Sequence, residues 1–209
     1  VQDRTGMLAA MGHDLRTPIT RLRLRAEFVA DDALRDEFLR DLAMMNDMIE
    51  GALTYLREGR HQEKAGLVDL AAQLATVCDQ FEDMGHAVVY QGPDHFVRRL
   101  RAHSFARAVT NLVDNATKYG TKVTVRLIPG DGRACRIEVE DDGSGIAEAD
   151  REAMLRPFAR GDSARNLNEA TGFGLGLAIV RAVVEGHRGR LILEDGATGG
   201  LRAVIELPG

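Results

Sequence analysis

The residues with the clearest chemical potential form one run near the N-terminus, His13-Asp14-Leu15-Arg16-Thr17-Pro18-Ile19. A neutral imidazole is a good nucleophile, and the carboxylate of Asp14 can hold its tautomer and accept its proton. The guanidinium of Arg16 can balance an arriving phosphoryl charge, and Pro18 removes a backbone hydrogen bond from the turn beside His13. The combination favours a phosphorylated histidine, although the run alone also fits a histidine that packs in a core.

A second polar group lies on one face of a helix that the sequence predicts over Ala102–Tyr119. Asn111, Asn115 and Lys118 follow a spacing of i, i+4 and i+7, which places them on the same side. Amide oxygens can bind Mg²⁺ without adding charge, and an ammonium can contact phosphate oxygens. The spacing also fits an ordinary solvated face, opposite an apolar face made of Phe105, Val109, Leu112, Val113 and Ala116.

Two glycine-rich segments flank a long polar stretch further along the chain. The first, Asp141-Asp142-Gly143-Ser144-Gly145-Ile146, follows a predicted strand, where a carboxylate can accept from an amine and glycines permit close approach of a flat ligand. The second, Gly172-Phe173-Gly174-Leu175-Gly176-Leu177, opens a predicted helix whose first N–H groups favour an anion. Each segment alone also fits a plain turn. Residues 147–171 between them, which include Phe158 and Arg160, are poor in apolar side chains and are predicted to form a lid.

Two long helices precede these segments. Their apolar residues alternate steps of three and four, as in the seam of a helical bundle, with a polar turn at Asp31-Asp32 between them. One hairpin cannot cover both flanks of such a seam, so two hairpins are predicted to pair as a homodimeric four-helix bundle with His13 on its outer surface. The seam residues are Leu8, Gly12, Leu15, Ile19, Leu22, Ala26 and Val29 in the first helix, and Phe38, Leu42, Met45, Ile49, Ala52 and Leu56 in the second.

The polar segment Arg57–Gly66 lacks periodicity, which is typical of a hinge. We therefore predict a helical hairpin over residues 1–58, a linker over 59–66 and a second domain over 67–209. In that domain helices alternate with strands, and helices on one face of a mostly antiparallel sheet make an α/β sandwich. The fold class of the chain is thus α+β. The predicted helices span Leu70–Met84, Ala102–Tyr119 and Leu175–Glu185, and the predicted strands span His86–Gln91, Val123–Leu127, Ile137–Val139, Leu191–Glu194 and Leu201–Leu207.

The composition restricts the classes of partner. A net charge of −5 argues against a general nucleic-acid binder, and a hydrophobic share of 44% indicates a globular chain.

Cys78 and Cys135 lie in apolar runs without metal-ligand spacing, so both are predicted to be reduced core thiols. No apolar run reaches the roughly 18 residues of a membrane helix, and we expect no membrane contact from this part of the protein. The chain begins inside a predicted helix, as part of a longer protein would.

The order of these motifs resembles the transmitter core of bacterial sensor histidine kinases, whose H, N, G1, F and G2 boxes occur in the same succession. The resemblance covers essentially the whole chain. It is greatest to the EnvZ-like osmosensor kinases, in His13-Asp14-Leu15-Arg16-Thr17-Pro18 and in Arg160-Gly161-Asp162-Ser163-Ala164-Arg165. One departure is Phe173 between the lid glycines, where many relatives carry threonine.

The resemblance implies a role for each matched residue. His13 would be the phosphorylated nucleophile, with Asp14 as proton acceptor, Arg16 beside it, and Thr17 placed to orient water in a reverse, phosphatase reaction. Asn115 would bind Mg²⁺ with support from Asn111. The other residues implied to bind ATP are Lys118 at the phosphates, Tyr119 near the adenine, Asp141 at the adenine amine, Gly143, Gly145 and Ile146 in that pocket, Phe158 and Arg160 in the lid, and Gly172, Gly174, Leu175 and Gly176 in the phosphate-facing turn.

The implied activity is autophosphorylation of His13 by Mg²⁺-ATP and transfer to an aspartate of an OmpR-like response regulator. The implied location is the cytoplasmic portion of a bacterial inner-membrane sensor kinase. Arg21, Arg23 and Arg25 would suit an acidic receiver, or form a solvated helix face. Two alternatives remain: a dimeric scaffold that binds a regulator without catalysis, and a chaperone- or gyrase-type ATPase. The ATPase is disfavoured because Asn111 stands where such enzymes carry a glutamate base.

Overall fold

A computed structural model describes residues 2–58, 63–159, 174–197 and 199–209. Of the side chains in the first two helices, it describes those of residues 14–46, 49 and 51. The chain divides into two compact units, Val1–Arg60 and His61–Gly209. No helix in the described ranges is long and apolar enough to cross a membrane.

The first unit is a pair of contacting helices, α1 (Gln2–Ala26) and α2 (Asp32–Glu58). Asp31 begins α2 by accepting the Leu34 N–H at Oδ1, 3.1 Å away, as expected of a helix cap. Helix α1 continues through Pro18, which has no backbone N–H to donate to the preceding turn. The two helices bury Ile19, Ala26 and Leu42 between them, with Leu39 and Ile49 packed alongside.

Only part of the predicted seam is buried within one hairpin. Leu15 and Leu22 on α1, and Phe38 and Met45 on α2, are each close to half exposed, and each pair repeats at seven residues. An apolar stripe of this kind needs a partner surface to leave water. We refer to these four side chains as the exposed stripe.

The second unit contains seven strands and four helices in the ranges described. In chain order they are β1 (Gly66–Asp69), α3 (Leu70–Asp83), β2 (Ala87–Gln91), β3 (Val97–Leu100), α4 (Ala102–Tyr119), β4 (Lys122–Pro129), β5 (Cys135–Asp141), α5 (Glu148–Met154), α6 (Gly176–Gly186), β6 (Arg190–Asp195) and β7 (Leu201–Leu207).

A five-stranded sheet of order β2-β4-β5-β7-β6 forms the centre of the second unit. Only the β2–β4 pair is parallel, and the other neighbours are antiparallel. Its inner face is apolar and packs under α3, α4 and α6. Its outer face carries paired charges: Glu140 binds Arg126 and Arg202 at 2.6 and 3.0 Å, and Arg136 binds Glu138 at 2.7 Å. Burial of one face and ion pairing on the other give the sandwich predicted for this region.

The predicted helix over 102–119 is confirmed with the same bounds, and its five predicted packing residues are all buried. Helix α6 begins at Gly176, one residue later than predicted. The two-stranded sheet of β1 and β3, and the short helix α5, were not predicted. Both cysteines are buried and unpaired, as predicted.

The linker assignment of residues 59–66 stays a prediction, because residues 59–62 lie outside the described ranges. Glu63–Gly66 belong to the second unit, and Gly66 already pairs with Leu100.

Candidate functional site

Among the described residues of the second unit, Asp141 is the most buried carboxylate, with 4% of its surface exposed at the end of β5. Its Oδ1 accepts the N–H groups of Gly143 at 2.9 Å and Leu201 at 3.2 Å. Burial raises the pKa of Asp141 above its usual value, although these two hydrogen bonds oppose the shift. The result is a rigid acceptor at the end of a strand, supported by two backbone donors.

The neighbouring Asp142 has a different task. Its Oδ1 accepts the N–H groups of Thr121 and Lys122, and its Oδ2 accepts the Thr121 hydroxyl at 2.8 Å. These hydrogen bonds lower the pKa of Asp142 to about 2. Asp142 therefore ties the end of α4 to the end of β5 through the turn between α4 and β4.

Gly143 allows the loop after Asp141 to lie directly against α4. A Cβ atom at Gly143 would be 2.3 Å from the Tyr119 carbonyl oxygen, and one at Gly120 would be 2.9 Å from the Asp141 Cβ. Gly145 has a φ of +69°, which favours glycine. The first glycine-rich segment and the C-terminal end of the Asn-bearing helix thus form one continuous structure.

A turn over residues 196–200 supports Asp141 from the other side, with Thr198 outside the described residues. A Cβ at Gly200 would be only 2.0 Å from the Asp141 carbonyl oxygen. The Ala197 N–H donates to Glu140 Oε1 at 2.8 Å. Glu140 and Asp141 are consecutive on β5, so their side chains leave the sheet on opposite faces and hold the same turn.

The polar stripe of α4 lies on the half-buried side of the helix. Asn111 and Asn115 are partly buried, and the Asn111 Nδ2 atom has no hydrogen-bond partner among the described residues. Lys118 does have one: its ammonium binds the Asp114 carboxylate at 2.6 Å. Tyr119 is about half exposed. To contact a ligand, the Lys118 ammonium must therefore weaken or break its ion pair with Asp114. The Nδ2 group of Asn111 is already an unpaired donor among the described residues.

The first part of the segment predicted as a lid over residues 147–171 contains the helix α5, and the described residues on either side of 160–173 contact each other. The Phe158 N–H donates to the Gly174 carbonyl at 2.9 Å, and a Cβ at Gly174 would be 2.0 Å from the Ala159 carbonyl oxygen. Phe158 itself is mostly exposed and has a φ of 63°. Residues 160–173, which include the predicted site residues Arg160 and Gly172, lie outside the described residues.

The structure also gives the local surroundings of three other predicted site residues, Ile146, Leu175 and Gly176. Ile146 accepts the Arg151 Nε–H at its carbonyl, 3.0 Å away. Leu175 is buried, so its side chain packs in the core, while Gly176 opens α6 with no atom within 4 Å of where a Cβ would lie.

The residues around the predicted phosphoacceptor lie on α1. Asp14 and Thr17 are exposed there, and Arg16 is partly buried. The side chain of His13 lies outside the described part, and only its helical backbone is assigned.

Gly200 and Leu201 were not predicted as supports of Asp141. The pair Gly199-Gly200 directly before the last strand was available as a signal, but on its own it indicates only a turn. The link from Leu201 to Asp141 spans 60 residues of chain and follows from the β5–β7 pairing. Among the described residues no group of three or more histidine, cysteine or acidic side chains is arranged to hold a metal ion.

Comparison with known families decides the class of this site. The sequence pattern of the family described as "Histidine kinase-, DNA gyrase B-, and HSP90-like ATPase" matches residues 101–209, from the start of α4 to the last residue. The chain belongs to this ATPase family. The matched range contains Asn111, Asn115, Asp141 and all the glycine-rich segments discussed above.

Relatives extend the likeness to the helical hairpin. The chain is 34% identical over its whole length to a protein named sensor histidine kinase GtrS from Pseudomonas aeruginosa, of which it covers 42%. It is 36% identical over 97% of its length to sensor histidine kinase CpxA from Escherichia coli, of which it covers 46%. The predicted resemblance to histidine kinase transmitters is thereby confirmed, and the chain spans less than half the length of these relatives.

A solved structure supports the fold. The full-length structure of ShkA, determined in complex with AMPPNP, superposes with a TM-score of 0.77 at 20% identity, covering 97% of this chain and 45% of ShkA. At this identity the likeness concerns the fold alone.

Proposed function

We propose that the chain is the catalytic core of a sensor histidine kinase that phosphorylates His13 with Mg²⁺-ATP and passes the phosphoryl group to an aspartate of a response regulator. The observation that carries the proposal is Asp141: a buried carboxylate, fixed through Oδ1 at a strand end, inside a region that matches the ATPase family. Such a carboxylate can accept a hydrogen bond from the exocyclic amine of adenine.

The remaining residues of the proposed ATP site are arranged along α4 and the glycine-rich segments. Gly143, Gly145 and Ile146 would border the adenine, and Tyr119 would pack near it. Because Lys118 is paired with Asp114, we expect phosphate binding to draw its ammonium away from that carboxylate. The residues that would contact or enclose the phosphates are Lys118, Phe158, Arg160, Gly172, Gly174, Leu175 and Gly176.

Asn115 and Asn111 would hold the magnesium ion. Amide oxygens are neutral oxygen ligands of the kind Mg²⁺ accepts beside phosphates. The unpartnered Nδ2 of Asn111 is a hydrogen-bond donor, so it fits an acceptor such as a phosphate oxygen and not the cation itself. The bound ion would neutralise phosphate charge. Positioning and neutralisation are the main requirements of phosphoryl transfer.

At the phosphoacceptor, Asp14 would take the imidazole proton as a His13 ring nitrogen bonds to the γ-phosphorus of ATP and the bond from that phosphorus to the leaving ADP breaks. Arg16 would balance the charge that arrives. Thr17 lies one helical turn after His13 and would orient water in the reverse reaction on a phosphorylated regulator. The exposure of Asp14 and Thr17 supports a reaction at the surface of the hairpin.

The exposed stripe supports assembly as a homodimer. We propose that two hairpins pair through Leu15, Leu22, Phe38 and Met45 as a four-helix bundle. We propose also that an OmpR-like receiver docks beside the exposed Arg21, Arg23 and Arg25. We also propose, from the resemblance to sensor histidine kinases, that this core is the cytoplasmic part of an inner-membrane protein.

The test is transfer of label from radioactive ATP in the presence of Mg²⁺. We expect a protein-bound label that is acid-labile and alkali-stable, as phosphohistidine is, and no label on a His13→Gln variant. Equal labelling of His13→Gln would contradict the proposal. Nucleotide binding without any label would indicate a scaffold, and phosphate release without label an ATPase.

A further inference from the structure

Helix α4 is capped by a residue from the start of the second unit. The N-cap position, Arg101, provides no side-chain hydrogen bond. Instead Glu63 Oε1 accepts the His103 N–H at 2.9 Å, and Oε2 accepts the Ser104 N–H at 3.1 Å and the Ser104 hydroxyl at 2.7 Å. The first N–H groups of a helix lack partners within it, and a carboxylate there also interacts favourably with the helix dipole.

The charged state of Glu63 agrees with this role. Partial burial alone would raise the pKa of Glu63, but the hydrogen bonds from Ser104 and His103 outweigh it and lower the pKa below its usual value. The carboxylate is therefore ionised at neutral pH, as a three-bond cap requires.

Glu63 is also the first described residue of the second unit, and it is already bonded to that unit. Helix α2 ends at Glu58, so residues 59–62 separate that helix from the capping carboxylate. Without the cap, the next fixed point is the pairing of Gly66 with Leu100 in the β1–β3 sheet. The extended reach from Glu58 would then grow from roughly 18 Å to roughly 28 Å.

We propose, resting on the kinase function above, that Glu63 is a positioning residue for phosphoryl transfer. By capping the helix that carries Asn111 and Asn115, it sets the length of the connection between the helix of the phosphoacceptor hairpin and the nucleotide site. Effective concentration falls with about the −3/2 power of tether length, so the longer connection lowers the rate of reaction on His13 about twofold. Nucleotide affinity is unaffected, because Glu63 contacts only the first turn of α4.

Three variants of the full chain test this proposal. Glu63→Ala removes all three hydrogen bonds. Ser104→Ala is the matched control, since it removes the hydroxyl bond and keeps both backbone bonds. An insertion of Gly-Ser-Gly between Arg60 and His61 keeps the cap and lengthens the connection by as many residues as loss of the cap would free.

The rate of trypsin cleavage after Lys64 shows whether Glu63 holds this segment against α4, and it does not depend on kinase activity. We expect Glu63→Ala to be cleaved there several-fold faster than wild type, and the control and the insertion to be cleaved at the wild-type rate. Single-turnover labelling of His13 reports positioning: we expect a loss of about twofold or more in Glu63→Ala and in the insertion, with ATP affinity unchanged in both.

An insertion that labels at the wild-type rate would overturn the proposal, as would unchanged cleavage of Glu63→Ala. If Glu63→Ala does not fold, the insertion still decides, because it retains the cap. A wild-type chain that binds no ATP, or leaves His13 unlabelled, would instead refute the kinase function, and the cleavage result would still show whether Glu63 anchors the segment.

Discussion

Asp141 and Asp142 are adjacent carboxylates with opposite environments. Asp141 is buried and its pKa is raised, whereas Asp142 is partly exposed, accepts three hydrogen bonds, and has a pKa of about 2. The first fits a ligand acceptor and the second a structural tie. Substitutions at the two positions should therefore separate binding from stability.

Asp141→Asn should weaken ATP binding strongly and leave the fold intact. The amide can keep one oxygen on the Gly143 and Leu201 N–H groups, but its nitrogen then faces the adenine amine as a second donor. We expect at least about a hundredfold weaker binding, equivalent to ~2.7 kcal/mol, by calorimetry. The melting temperature should stay within a few degrees, since a carboxylate penalised by burial is replaced by a neutral group. Wild-type affinity in this variant would exclude Asp141 as the ligand acceptor.

The low pKa of Asp142 predicts that the protein loses stability in acid. Its folded pKa lies below the unfolded value of 3.8, so its contribution is complete above about pH 4 and is lost as the pH falls toward 2. We expect the melting temperature of Asp142→Asn to be lower than that of wild type at pH 6, and the two to converge by pH 2. A constant difference across this range would contradict the assignment.

At the scale of elements, the closest approach between the first glycine-rich segment and α4 is at Gly143. Gly143→Ala would place a methyl carbon 2.3 Å from the Tyr119 carbonyl oxygen, which can be relieved only by separating β5 from α4. We expect a loss of about 2 kcal/mol or more of unfolding free energy, measured by urea denaturation. Gly66→Ala is the control, since no atom lies within 4 Å of its Cβ position.

The elements also show which features a sequence can predict. Helix α4 was predicted to the residue because its apolar and polar faces repeat without interruption. Strands β1 and β3 were missed because the sequence Val97-Arg98-Arg99-Leu100 has paired arginines in place of alternation, and α5 was missed because it has almost no apolar face. The cap that Glu63 gives to Ser104 and the hydrogen bond from Leu201 to Asp141 join residues about 40 and 60 positions apart in the sequence. No local sequence pattern predicts such contacts.

At the scale of the whole molecule, the exposed stripe predicts the assembly. Leu22→Glu combined with Phe38→Glu should convert a dimer into a species of 22.8 kDa, the mass of one chain, in light scattering after size exclusion. Each substitution places a charge where a partner helix must pack. The control Leu24→Glu changes a more exposed leucine outside the seam and should remain dimeric. A wild-type monomer at micromolar concentration would refute the predicted bundle.

The turn over residues 196–200 is held by Glu140 from the outer face of the sheet and lies against Asp141 on the inner face. Glu140 is itself held by ion pairs with Arg126 and Arg202. The side chains of these arginines lie on the outer face, so they cannot contact a ligand on the helical side of the sheet. Substitution of either arginine should therefore disturb the turn beside Asp141 and lower nucleotide affinity. These positions on the outer face tolerate fewer substitutions than their exposure to solvent suggests.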